Sequence, residues 1–311
     1  MILESISGGA YHCLLVGNPG GLPVGRRIVG VEVAVGAVGG CCYLAASLLA
    51  VFSLRGSRPR SERAALLLMC AGALALAGVL ALRGLRAGAI PAFGRFEGLT
   101  CYALALTAVY LVLMATRPAR GIITLVLPYV LIVLACGFPA VSVAVGRPVP
   151  LQGALLAVHV IAAFSAYAVF TLISILALAY LVQDRNLKRK QLGTVWERLP
   201  CLETLDLLMS RLAGVAFLLL TVAVLVGFIL VNRTGGGQEW FTDPKVGATL
   251  ATWFLFGVLV HLRASADRHG RGVALVAVAG LVCLLFAFIG VHLVTDSVHA
   301  FLNIRAGTGA P

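Results

Sequence analysis

Four histidines stand in or at the ends of long apolar runs: His159 in LLAVHVIAAF, His261 in VLVHLR, and His292 and His299 in GVHLVTDSVHAF. An ionisable side chain at membrane depth is costly and marks a candidate functional site. A neutral imidazole is a metal ligand or a proton carrier. His292 and His299 are close to two helical turns apart and share a face. Asp296 falls between them on that face, where a carboxylate can orient an imidazole ligand. Taken singly, each histidine is better read as an interfacial residue that snorkels or bonds a backbone carbonyl; it is their combination that shifts the weight. His12 and His269 lie in glycine-rich or polar segments without ligand spacing and read as solvated.

The stretch Gly235–Arg263, GGGQEWFTDPKVGATLATWFLFGVLVHLR, gathers Trp240, Asp243, Lys245, Trp253 and His261 within one loop and the helix after it. Asp243-Pro244 before an apolar run is a helix start, an Asp cap with Pro at the first helical position. The helix start offers free N–H groups, and with Lys245 it suits a carboxylate. Trp240 beside three glycines has room for a flat ligand; an interfacial-belt tryptophan is the competing reading. Trp253, mid-span, reads as core packing. His159 and His299 reach the same surface as the Trp240 loop, and two imidazoles meeting there suit bis-histidine ligation of a haem iron.

The elements that must position these residues are membrane spans. The 311 residues are 60% hydrophobic and 12% charged, and mean hydropathy is +1.02. A soluble domain carries about 25% charged residues. The net charge of +12 sits in short segments between apolar runs, a topology signal rather than a nucleic-acid footprint. A span needs about 20 apolar residues, and eight are expected: Ile28–Leu54, Ala64–Leu82, Leu99–Ala115, Ile122–Val145, Leu151–Val182, Leu212–Val231, Val246–Leu262 and Val273–Val294. Fifteen of the 24 basic residues then fall on one side, which by the positive-inside rule is cytoplasmic. Both termini and the Trp240 loop are expected outside; Arg26, Arg27, Arg83, Arg86 and Arg95 run against this pattern. The polar segment Asp184–Arg211 reads as an amphipathic, surface-lying connector. The eight cysteines show no metal spacing and read as packing residues. No cleavable signal peptide is visible in the first 25 residues. Intramembrane histidines with Glu32 also allow a proton path in a secondary transporter, but no duplicated pair of broken spans accompanies them.

The residues resemble the cytochrome c assembly proteins of the CcsA/ResC and HemX type. That family carries a Trp-rich outer loop ending W-D-P-K, then a helix with a Trp that ends L-H-x-R. The matching residues are Trp240-Phe-Thr-Asp-Pro-Lys245, Trp253 and His261-Leu-Arg263. Further likeness lies at Arg95-Phe-Glu-Gly-Leu-Thr-Cys-Tyr, at Val158-His-Val with Tyr167 downstream, and at Val291-His-Leu with Val298-His-Ala-Phe, so it spans roughly Arg95–Phe301. The resemblance implies an all-α integral membrane protein of about eight transmembrane helices. Residues 1–94 would form an N-terminal segment with two spans and residues 95–311 a six-helix haem-handling domain. It implies haem b held at the outer face by His159 and His299, and His261 as ligand at a second, inner haem position. Trp240, Asp243, Lys245 and His292 would complete the surroundings. The implied setting is a bacterial-type plasma membrane, with apocytochrome c and a ResB/CcsB-type membrane protein as partners. On that reading the chain is at most one subunit of a cytochrome c haem lyase. Here the loop departs from the family: only Trp240 of three expected tryptophans remains, Thr242 precedes Asp243, and His292 replaces an expected Asn. HemX-like members relax the tryptophans while keeping D-P-K and the histidines. The alternative is therefore a HemX-like protein acting on haem synthesis without attaching haem.

Overall fold

The computed structural model describes residues 24–53, 59–88, 90–91, 94–116, 121–141, 153–190, 199–234, 243–265 and 270–285. Among them the chain forms α1 (Val24–Ser53), α2 (Pro59–Ala87), α3 (Arg95–Thr116), α4 (Ile123–Gly137, extended by a 3₁₀ turn Phe138–Ala140), α5 (Gly153–Lys188), α6 (Leu202–Thr234), α7 (Pro244–Ser265) and α8 (Arg271–Leu285). Seven of these helices, α1 to α7, are long and apolar enough to cross a membrane. The eighth expected span is helical from Arg271 to Leu285, where the described residues end. The protein is thus an all-α, multi-pass membrane protein. With no water in the hydrocarbon core, helices satisfy every backbone group within each span.

Helix α5 is the axis of the bundle. It packs against α6, α8 and α3, α7 lies against α6 and α8, and α1 and α2 join through α4 and α3. Its face Ala166, Val169, Phe170, Ile173, Leu176 and Ala177 is almost wholly buried within the protein. The outer surface presents Leu67, Leu74, Phe254 and Val282, as expected where lipid is the solvent. Hydrophobic driving force between helices is weak in lipid, so close packing of small residues matters. Gly39 and Gly72 show this between α1 and α2: a Cβ on Gly72 would stand 3.0 Å from the Gly39 carbonyl oxygen and 2.9 Å from the Tyr43 ring.

The connector after α5 differs from expectation. Asp184–Lys188 continues α5, and Leu202–Arg211 is the opening of α6 rather than a surface-lying segment. Leu205, Leu208 and Met209 recur at helical spacing and bury against the bundle, which holds the chain in helix. At about 1.5 Å per residue, α5 and α6 are about 54 and 50 Å long, against a hydrocarbon core of about 30 Å. Both overshoot the membrane.

Candidate functional site

Antiparallel connectivity divides the sites between two ends of the bundle. His159, in the second turn of α5, lies against Ala223 and Gly227 in the last three turns of α6. His261, in the last turns of α7, lies at the opposite end, about 27 Å along the helix axis from Asp243.

His159 is half-buried, and its Nδ1–H donates to the carbonyl of Ala223 on α6 at 2.8 Å. A carbonyl can only accept, so Nδ1 carries a proton, and in the neutral form of the ring this tautomer places the lone pair on Nε2. Metal-ligating histidines commonly use this arrangement, with the second ring nitrogen fixed by a carbonyl or carboxylate. Gly227, one turn beyond Ala223, makes the approach possible. A Cβ there would lie 2.9 Å from Cε1 and 3.1 Å from Nδ1 of His159. Gly227 carries no polar signal in the sequence; its only mark is a glycine inside the apolar run VLVGFIL.

Asp243 is 5% exposed and precedes α7, which begins at Pro244. Its carbonyl accepts from the Gly247 amide at 3.1 Å. The Asp-Pro pair therefore starts the helix as expected. Lys245 lies in the first turn of α7. Trp253 packs inside the bundle: its Nε1–H donates to the Thr221 hydroxyl at 2.9 Å, and its ring stacks on Phe217 with centroids 5.4 Å apart. Thr221 in turn donates to the Phe217 carbonyl. Tyr167, two turns below His159, meets the Thr249 hydroxyl at 3.3 Å. Trp240, His292 and His299 lie outside the described residues, as do Asp296, His12, His269 and the Lys245 side chain.

At the other end His261 is exposed. Two residues on, Arg263 donates through one guanidinium nitrogen to Asp206 Oδ2 at 2.9 Å and to the Asp206 carbonyl at 3.3 Å. The second carboxylate oxygen of Asp206 accepts from the Gly270 amide at 3.3 Å. The final arginine of the H-L-R segment thus ties α7 to α6 and to the turn that opens α8. Asp206 sits in the segment read as a connector, and nothing in its local pattern marked it.

A second polar cluster shares the His159 end. Arg83 of α2 is 4% exposed and lies between Glu32 of α1 and Glu97 of α3, exposed 6% and 3%. Arg83 Nε donates to Glu32 at 3.0 Å. Its other two nitrogens reach Glu97 and the Val141 carbonyl, and Arg86 takes the second Glu32 oxygen. Arg83 also lies 4.9 Å over the Phe96 ring. These contacts explain why Arg83 and Arg86 run against the charge pattern: each is neutralised by a carboxylate of a neighbouring helix. Arg95 likewise donates to the Cys136 carbonyl at 3.2 Å. Glu32, which could have begun a proton path, is held by two arginines.

Among the described residues no group of three or more histidine, cysteine or acidic side chains is arranged to hold a metal ion. A macrocycle whose iron takes axial imidazoles needs no such group, and the tautomer of His159 fits that use.

The family model for cytochrome c assembly protein matches residues 65–299. The cytochrome c biogenesis protein CcsA of Synechococcus sp. (strain CC9902) is 30% identical over 270 residues, covering 79% of this chain and 88% of that protein. CcsA of Porphyra purpurea is 27% identical over 267 residues, covering 73% and 83%. CcsA of Synechococcus sp. (strain CC9311) is 30% identical over 265 residues, covering 76% and 87%. With a matched segment running from α2 past the end of α8, most of the chain, this protein belongs to the cytochrome c assembly protein family.

Proposed function

We propose that this protein serves cytochrome c biogenesis by holding haem b at the His159 end of the bundle and presenting it to apocytochrome c. The family match and the named function of its CcsA relatives support the cytochrome c biogenesis role. The observation that carries the haem reading is the seat of His159, where Nδ1–H is fixed on the Ala223 carbonyl and Gly227 leaves room for the ring. On this reading His159 and His299 would hold the haem iron, and Trp240, Asp243, Lys245 and His292 would complete the site. His261 serves a second haem position at the opposite end. When bound, haem supplies the vinyl groups that form thioethers with the substrate thiols, and the protein supplies position and electrostatics. The chain acts in a bacterial-type plasma membrane, with a ResB/CcsB-type partner, as at most one subunit of a haem lyase. Residues 95–311 do the haem handling.

The His159 end faces outward, and both termini with it. Neutralisation of Arg83 and Arg86 supports this, because it removes two charges that opposed the orientation.

Protein purified from haem-replete cells is expected to show a Soret band with low-spin bis-histidine features. His159→Ala and His299→Ala are each expected to abolish the low-spin features. Repeatedly colourless wild-type preparations would sink the proposal. The sparse tryptophans of the loop favour the HemX-like alternative, and a deletion strain separates the two. Loss of c-type cytochromes supports haem presentation, whereas altered tetrapyrrole accumulation with intact cytochromes supports the alternative.

A further inference from the structure

Helices α5 and α8 open a groove of about 400 Å³ at the His261 end, where α5 changes from apolar to charged residues. Leu181, Val182 and Leu275 form its apolar part, and Asp184, Arg185, Lys188, Arg189 and Arg271 its polar part. Lys188 is held by Asp184 at 2.8 Å. Four cations and one carboxylate leave a net of three positive charges, and Arg185, Arg189 and Arg271 are all exposed. The apolar part does not end at the groove. Leu178 lies one turn deeper on α5, Val282 lies two turns beyond Leu275 on the same face of α8, and both are exposed.

We propose that this groove binds an anionic phospholipid, with the phosphate among Arg185, Arg189 and Arg271 and an acyl chain along Leu275 and Leu178. Charge and polarity change together along the groove, from cationic beyond the membrane boundary to apolar within it. A soluble anion has no use for the apolar half, and a neutral lipid none for the three arginines. Basic pockets between transmembrane helices take anionic headgroups on this basis. The site also lies one residue from Gly270, whose amide is held by Asp206 and through it by Arg263. A lipid here would therefore brace the end of the bundle at which α6, α7 and α8 are joined. Nothing in this inference depends on the haem reading.

The test is native mass spectrometry of the full chain in mild detergent with an equimolar mixture of phosphatidylglycerol and phosphatidylcholine. Basic residues near a membrane surface contribute about 1 kcal/mol each, so the wild type is expected to prefer phosphatidylglycerol by about tenfold or more. Arg185→Gln/Arg189→Gln/Arg271→Gln is expected to bring the two lipids within about twofold. Arg60→Gln/Arg63→Gln, which removes exposed charges at the same end of the bundle, is expected to keep the preference. Should the triple variant fail to fold, Arg271→Gln alone decides, with a severalfold fall expected. An unchanged preference in the arginine variants would overturn the proposal, as would its loss in Arg60→Gln/Arg63→Gln. Displacement of the lipid by excess inorganic phosphate would also overturn it, because a site for soluble anions would then suffice. So would displacement by haemin, whose carboxylates and ring fit the same polarity.

Discussion

The Arg83 cluster and the His159 seat lie at the same end of one bundle, and both bury polar atoms where water is scarce. They handle that cost in different ways. Arg83 meets two carboxylates and a carbonyl, so its charge is matched from three neighbouring segments. His159 is held through Nδ1 by the backbone carbonyl of Ala223, with no charged partner in that bond. The first arrangement closes on itself and holds α1, α2 and α3 together. The second fixes the orientation of a ring, which the proposed function uses to hold haem. Intramembrane polarity alone therefore does not mark a working site; on the proposed function the His159 seat orients a ring, whereas the Arg83 cluster neutralises charge.

The largest expected effect tests the closed cluster. Arg83→Met leaves Glu32 and Glu97 buried without their shared cation, and breaking such a pair costs about 3–5 kcal/mol. Thermal unfolding in detergent should show a large loss of stability for this variant. Replacing the carboxylates as well, in Arg83→Met/Glu32→Gln/Glu97→Gln, should recover much of the loss, because no buried charge is then left unmatched. If Arg83→Met kept full stability yet lost haem, the cluster would belong with the histidine seat and the contrast would collapse.

Gly227→Ala tests the other side with a smaller effect. The added methyl would lie within 2.9 Å of the His159 ring, so the imidazole must leave its place on the Ala223 carbonyl. Displacing the partner that orients a metal ligand typically weakens metal binding by about 10–100-fold. Haem titration should show a loss near the lower figure, with His159→Ala more severe. Overpacking costs about 1–3 kcal/mol of stability as well, so the variant is read at a temperature where it remains folded. Unchanged haem affinity would show that the Gly227 contact does not orient the ligand.

Much of the frame was legible before the structure, because hydropathy and length dictate spans. The Asp243-Pro244 helix start and the packing role of Trp253 followed from local rules in the same way. The pairings were not legible. Arg83 is 51 residues from Glu32, and the dipole of a peptide carbonyl such as that of Ala223 leaves no trace in residue identity. Asp206 was hidden for a related reason: its charge suggested a solvated connector, while its role depends on Arg263, 57 residues away. Gly227 was silent because a glycine in an apolar run shows that something comes close, without showing what.

Cys201 carries the smallest effect and reports which side of the membrane the Arg83 and His159 end faces. It is exposed, stands just before α6, and lies at the end opposite Arg83 and His159. A hydrogen bond with the Thr204 hydroxyl at 3.1 Å holds the thiol pKa below its ordinary value, chiefly by favouring the thiolate. A lowered pKa means that the reactive thiolate appears at lower pH than for a free cysteine. Labelling with a membrane-impermeant maleimide should therefore rise at lower pH in the native protein than in Thr204→Val. That shift identifies the labelled thiol as Cys201 among the other cysteines. On the proposed orientation, inside-out vesicles should label at this site and intact cells should not. Labelling of Cys201 in intact cells would place the His159 seat and the Arg83 cluster on the cytoplasmic side, and haem presentation to an external apocytochrome would no longer be possible from there.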